Sequence, residues 1–97
     1  MAYFAITEER GPSWDSSRTR REQKDWDAHA TFMDGLTDDG FVVLGGPVGD
    51  GTRVLLIVDA ESQSEVEARL APDPWMTMGI LRVAVIEPWE ILLDGRN

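Results

Sequence analysis

Cysteine is absent from this 97-residue chain, and histidine and tyrosine occur once each. Without thiols there are no disulfides, no thiolate catalysis and no Cys-ligated metal. One histidine with scattered carboxylates such as Asp38-Asp39 gives no recognisable ligand spacing, so no metal is expected. Basic residues are scarce: nine Lys and Arg face 18 Asp and Glu, for a net charge of −9. Such a surface repels phosphate backbones and anionic bilayers, which argues against nucleic acid and membranes as partners. No run approaches the roughly 20 apolar residues needed to span a bilayer. The N-terminal Met1–Ile6 runs into acidic Glu8-Glu9 without a basic leader, so a soluble cytoplasmic protein is expected. Neither a serine nucleophile elbow nor a phosphate loop is present, since Gly45-Gly46-Pro47 ends in a residue without an N–H and no Gly-Lys-Ser/Thr follows.

What is present suits one α+β domain over residues 1–97, with 42% hydrophobic content. Ala2–Thr7 reads as a strand that is apolar on both sides, hence central, and Glu8–Ser17 as a loop around Trp14. Trp26, Ala30, Met33 and Leu36 recur at helical spacing within a helix expected over about Arg18–Asp39, closed by Gly40. Gly35 inside it suggests close packing against that turn. Four of the nine basic residues, Arg18, Arg20, Arg21 and Lys24, fall at the entry to this helix, as a solvated face or a collar for an anionic ligand. Phe41–Leu44 reads as a short strand ended by Gly45-Gly46-Pro47, and Gly49-Asp50-Gly51 turns the chain into Arg53–Val58. Ser62-x-x-Glu65 is a capping box opening a second helix that stops at Pro72. Ile80–Ile86 supplies a last strand, followed by an extended tail, Trp89–Leu92.

The order βαββαβ is the ferredoxin-like arrangement: a four-stranded antiparallel sheet with both helices on one face. Strands apolar on both sides predict that the free face buries against a second copy, giving a homodimer with sheets face to face, a dimeric α/β barrel.

Chemistry concentrates on His29 and Asp73. His29 lies three residues after Trp26 and four before Met33, so its imidazole faces the core margin. Asp73 is held between Pro72 and Pro74, which restrict its backbone. A carboxylate on one imidazole nitrogen fixes the tautomer and raises the basicity of the other, making a general acid–base near neutral pH. A histidine satisfied by an acid for stability alone has the same composition and spacing. Trp26, Trp75 and Met33, with Trp14 from the loop, are candidates to line an apolar ligand cavity, and Gly46 and Pro47 to form its rim; core and interface packing is the alternative fate of such residues.

The chain resembles the YciI-like (YCII-related) domain proteins. The shared pattern is a helix-borne histidine, here His29; a helix-ending glycine and apolar strand reaching Gly-Pro, here Gly40–Pro47; and Asp-Pro-aromatic before the last strand, here Asp73-Pro74-Trp75. The resemblance implies a dimeric ferredoxin-like α/β barrel with His29 and Asp73 as a catalytic dyad. One branch of the family is similar to cofactor-independent dehydrochlorinases of chlorinated hydroquinone-type rings, and relatives of the same barrel include lactone isomerases. The expected activity is therefore a proton-transfer lyase or isomerase on a small molecule. A dimeric module that binds a small ligand or a protein without turnover is the alternative.

Overall fold

A computed structural model describes residues 2–96. Strand β1 (Ala2–Arg10) lies between β3 (Arg53–Ala60) and β4 (Leu81–Pro88), and β2 (Val42–Val48) forms the other edge, giving the antiparallel order β2-β3-β1-β4. Strand β1 is central, as its two apolar sides require. It runs three residues further than Thr7, and its alternation carries Phe4, Ile6 and then Glu8 onto one buried face. That face meets Leu36 of α1 (Trp26–Asp38) and Val66 and Leu70 of α2 (Gln63–Leu70), which build one core with Val54, Leu56 and Val58. The fold is α+β and ferredoxin-like, with the helices packed on one side of the sheet.

Several boundaries differ from the sequence expectation, each for a local reason. Helix α1 starts at Trp26 instead of near Arg18, because the chain first makes a 3-10 turn at Arg20–Glu22 and Asp25 adopts a left-handed φ of 57°. The buried Gln23 side chain occupies this entry: its Nε2 donates to Asp15 O at 2.7 Å and its Oε1 accepts from Asp15 N at 3.0 Å. Strand β2 continues through Gly45-Gly46-Pro47 to Val48, which its edge position permits, since proline withholds an N–H that no outer neighbour needs. A Cβ on Gly45 would meet Leu56 Cδ2 at 2.6 Å, so a larger residue there needs the Leu56 side chain to shift. Gly35 has open space around its Cα, so the close packing expected at that turn is absent. Between α2 and β4 the chain forms a further short helix, α3 (Pro74–Thr77).

The opposite face of the sheet carries Ala5, Thr7, Leu44, Gly46, Leu55, Ile57 and Val85 at its centre, paired in register across the strands. Leu44, Leu55 and Val85 are exposed there at 53%, 38% and 42%. The tail after β4 is extended, with Trp89 N donating to Tyr3 O at 2.9 Å, and Leu92 and Leu93 stand in solvent. No helix among the described residues is long and apolar enough to cross a membrane.

The loop after β1 is stitched to the segment before β4: Gly11 N donates to Ile80 O at 2.8 Å and Ser13 N to Gly79 O at 2.9 Å. A Cβ on Gly11 would meet Gly79 O at 2.2 Å, so backbone must move to admit any side chain. Gly11→Ala is expected to destabilise the fold by about 1–3 kcal/mol. Urea denaturation reads this, and an unchanged midpoint would contradict the close approach.

Candidate active site

Asp73 is fixed by three local devices. Helix α2 ends at Leu70, Pro72 prevents its continuation, and Asp73 becomes the N-cap of α3 with Pro74 in the first turn, where its fixed φ suits a helix start. Asp73 Oδ1 accepts the Trp75 backbone N–H at 2.9 Å. The residue is completely buried, so its remaining acceptor capacity must be met by protein. His29 meets it: Nδ1 lies 2.9 Å from Oδ1 and 3.0 Å from Oδ2. A carboxylate only accepts, so Nδ1 carries the proton in this pair, and in the neutral ring the lone pair falls on Nε2.

The imidazole plane is fixed as firmly as its tautomer. Trp75, fully buried, stacks on it with centroids 4.0 Å apart and planes 3° from parallel, and Trp26 tilts against it at 5.8 Å. Trp75 is itself held by its indole N–H, which donates to Lys24 O at 2.7 Å, and by Trp14 edge-on at 6.0 Å. Aromatic pairs of this kind are worth about 0.5–1.5 kcal/mol each beyond their burial, enough together to restrict ring rotation.

His29 forms part of the wall of a cavity of about 430 Å³ between α1, the 3-10 turn and the sheet, to which all four strands contribute. Of the residues expected around a ligand, Trp26, Met33, Gly46 and Pro47 line this cavity with it. Trp14 and Trp75 do not. Trp75 has no exposed surface and lies behind the imidazole, so it supports the ring and forms no wall, and Trp14 packs on Trp75 one layer further back. Asp73 likewise acts from behind His29. Arg20 is the one member of the basic segment that lines the cavity, its guanidinium donating to Gly51 O at 2.8 Å and lying 5.3 Å over the Trp14 ring; Arg18 pairs with Asp15 in solvent, and Arg21 lies over Trp26. Among the described residues, no three His, Cys, Asp or Glu side chains are arranged to hold a metal ion.

Glu8 also lines the cavity and was assigned from sequence to a loop. It is 1% exposed, and its Oε2 has no hydrogen-bonding partner among the described residues. A shift in the β1–β4 register falls between Thr7 and Glu8, an irregularity of the kind that re-aims a side chain. The signal was in the parity of β1: continuing Phe4 and Ile6 by two residues puts position 8 on the buried face. Burial pushes the Glu8 carboxyl from 4.5 up to about 7, the nearby Asp73 charge adds to the rise, and Arg20 opposes it.

A group whose folded pKa is raised holds a proton that the unfolded chain has already released, so Glu8 costs stability progressively as pH climbs from about 4.5 to 7, and by a constant amount above. Glu8→Gln removes this cost and is expected to gain about 1–3 kcal/mol over the parent at pH 8, with little difference at pH 4. Urea titrations at both pH values measure it, and a pH-independent difference would contradict a buried, titrating Glu8.

The YCII-related domain family model matches residues 1–90. No curated protein matches the chain. Among solved structures, 5-chloro-2-hydroxyhydroquinone dehydrochlorinase (TftG) from Burkholderia phenoliruptrix AC1100, in complex with 2,5-dihydroxybenzoquinone, is 27% identical over 91% of this chain and 93% of that one, with a TM-score of 0.68. The match to the family pattern spans nearly the full length, from β1 through β4, and the chain belongs to the YCII-related domain family.

Proposed function

We propose that this protein is a small-molecule lyase or isomerase that needs no cofactor, with His29 as the general acid–base and Asp73 as the group that holds its tautomer. The observation that carries the reading is the buried Nδ1–carboxylate contact at 2.9 and 3.0 Å, on an imidazole that lines a cavity. Its Nε2 accepts a proton from a carbon next to a substrate carbonyl, and the electron pair becomes the double bond of an enolate. Either chloride or another β leaving group then departs, or the proton returns at a different carbon; the first outcome is a lyase, the second an isomerase. The cavity volume of about 430 Å³ suits a single substituted ring. Kinship to a dehydrochlorinase of a chlorinated hydroxyhydroquinone supports that substrate class.

Turnover of chlorinated hydroquinones and enolisable lactones by the purified protein tests this. His29→Ala is expected to lower kcat/KM by about 10²–10⁴-fold. Asp73→Asn is expected to lower kcat with a smaller change in KM, because it presents an amide to Nδ1 and loses the tautomer preference. Turnover retained in both variants would sink the assignment, and ligand binding without turnover in the parent would leave a binding module.

The functional unit in this reading is a homodimer joined through the open sheet face, supported by the exposed Leu44, Leu55 and Val85 at its centre. Light scattering is expected to give twice the chain mass, and Leu55→Glu to give a single chain; a monomeric parent at the same concentration would contradict the dimer.

A further inference from the structure

Glu8 is the one buried titratable side chain in the cavity that neither the fold nor the proposed proton transfer employs. Its neighbours on the sheet, Val54 of β3 and Val83 of β4, are apolar and offer it nothing. The charged groups that act on it are Asp73 from the junction before α3 and Arg20 from the 3-10 turn, and His29 of α1 shares its cavity. Arg20 is committed to Gly51 O and to the Trp14 face, and no cation forms an ion pair with Glu8 among the described residues. Leaving a polar group unpaired at 1% exposure is unfavourable, and a ligand supplying the missing partner would offset that cost.

We propose that Glu8 is a substrate-contacting residue that selects oxygenated rings, its neutral carboxyl donating a hydrogen bond to a carbonyl or enolate oxygen of a ligand whose reacting carbon faces His29. The proposal rests on the reading of this cavity as a site for an enolisable ring. A carboxyl that is half protonated near neutral pH is a donor below that point and a repelling anion above it. In the proton transfer just described, charge develops on the carbonyl oxygen as His29 takes the proton from carbon. A donor placed at that oxygen stabilises the enolate, and if the proton passes fully to it the products are an enol, an imidazolium and a Glu8 carboxylate, with charge conserved. An oxyanionic ring therefore binds only while Glu8 keeps its proton.

Binding of 2,5-dihydroxybenzoquinone, a vinylogous acid that is anionic across the whole range used, tests this by calorimetric titration between pH 6 and pH 9. The parent protein is expected to lose affinity by roughly tenfold per pH unit above about 7, because only the protonated fraction binds. Glu8→Gln, which imitates the protonated carboxyl and cannot ionise, is expected to bind like the parent at pH 6 and to hold that affinity at pH 9. His29 is common to both proteins and cancels from the comparison. Parallel pH profiles with measurable binding in both would overturn the role of Glu8 while leaving the ring site standing. No binding to either protein at any pH would overturn the ligand class, and with it both proposals.

Discussion

The contact between His29 Nδ1 and Asp73 is the constraint on which the rest of the site hangs. A carboxylate with no exposed surface is expensive to bury unless its oxygens are met by donors. Here they are met by an N-cap bond to Trp75 and by the imidazole, so the donors that satisfy Asp73 also fix where His29 and Trp75 must be. That requirement ties α1 to the start of α3 across 44 residues of sequence, with Asp73 as the N-cap of the Pro74–Thr77 helix. Trp75 adds a stacked face behind the ring, and its indole N–H reaches Lys24 O, so the entry to α1, with its left-handed Asp25, is locked to the same assembly.

The cavity sets two carboxyls in opposed circumstances. Asp73 is buried with donors on its oxygens and serves the imidazole from behind; Glu8 is buried with no partner for Oε2 and faces the cavity itself. The register irregularities that border the cavity, between Thr7 and Glu8 and between Val42 and Leu44, lie where side chains leave the regular pleat.

Much of this is legible in the sequence. The strand and helix order followed from periodicity, and the central place of β1 followed from its two apolar sides. The pairing of His29 with Asp73 followed from a lone histidine on a helical stripe and an aspartate clamped by prolines, with the family pattern in support. What failed to show was tertiary in origin. Pro47 lies within β2 because that strand is an edge, which no local signal reveals. Helix α1 starts late because the Gln23 side chain captures Asp15 from eight residues away. Trp14 and Trp75 have the composition of pocket walls, yet stacking order decides which aromatic faces the cavity, and Trp26 takes that place. Glu8 was missed because two consecutive glutamates read as solvated turn, although strand parity put one of them inside.

The central claim is that Asp73 holds His29 in the Nδ1–H form and leaves Nε2 free to take a proton. With one histidine in the chain, ¹⁵N NMR of the imidazole reads this without assignment ambiguity. Above the pH at which the ring is charged, the account predicts a protonated Nδ1 and an unprotonated Nε2 in the parent protein, with the preference lost in Asp73→Asn. A neutral ring protonated at Nε2 in the parent would contradict it.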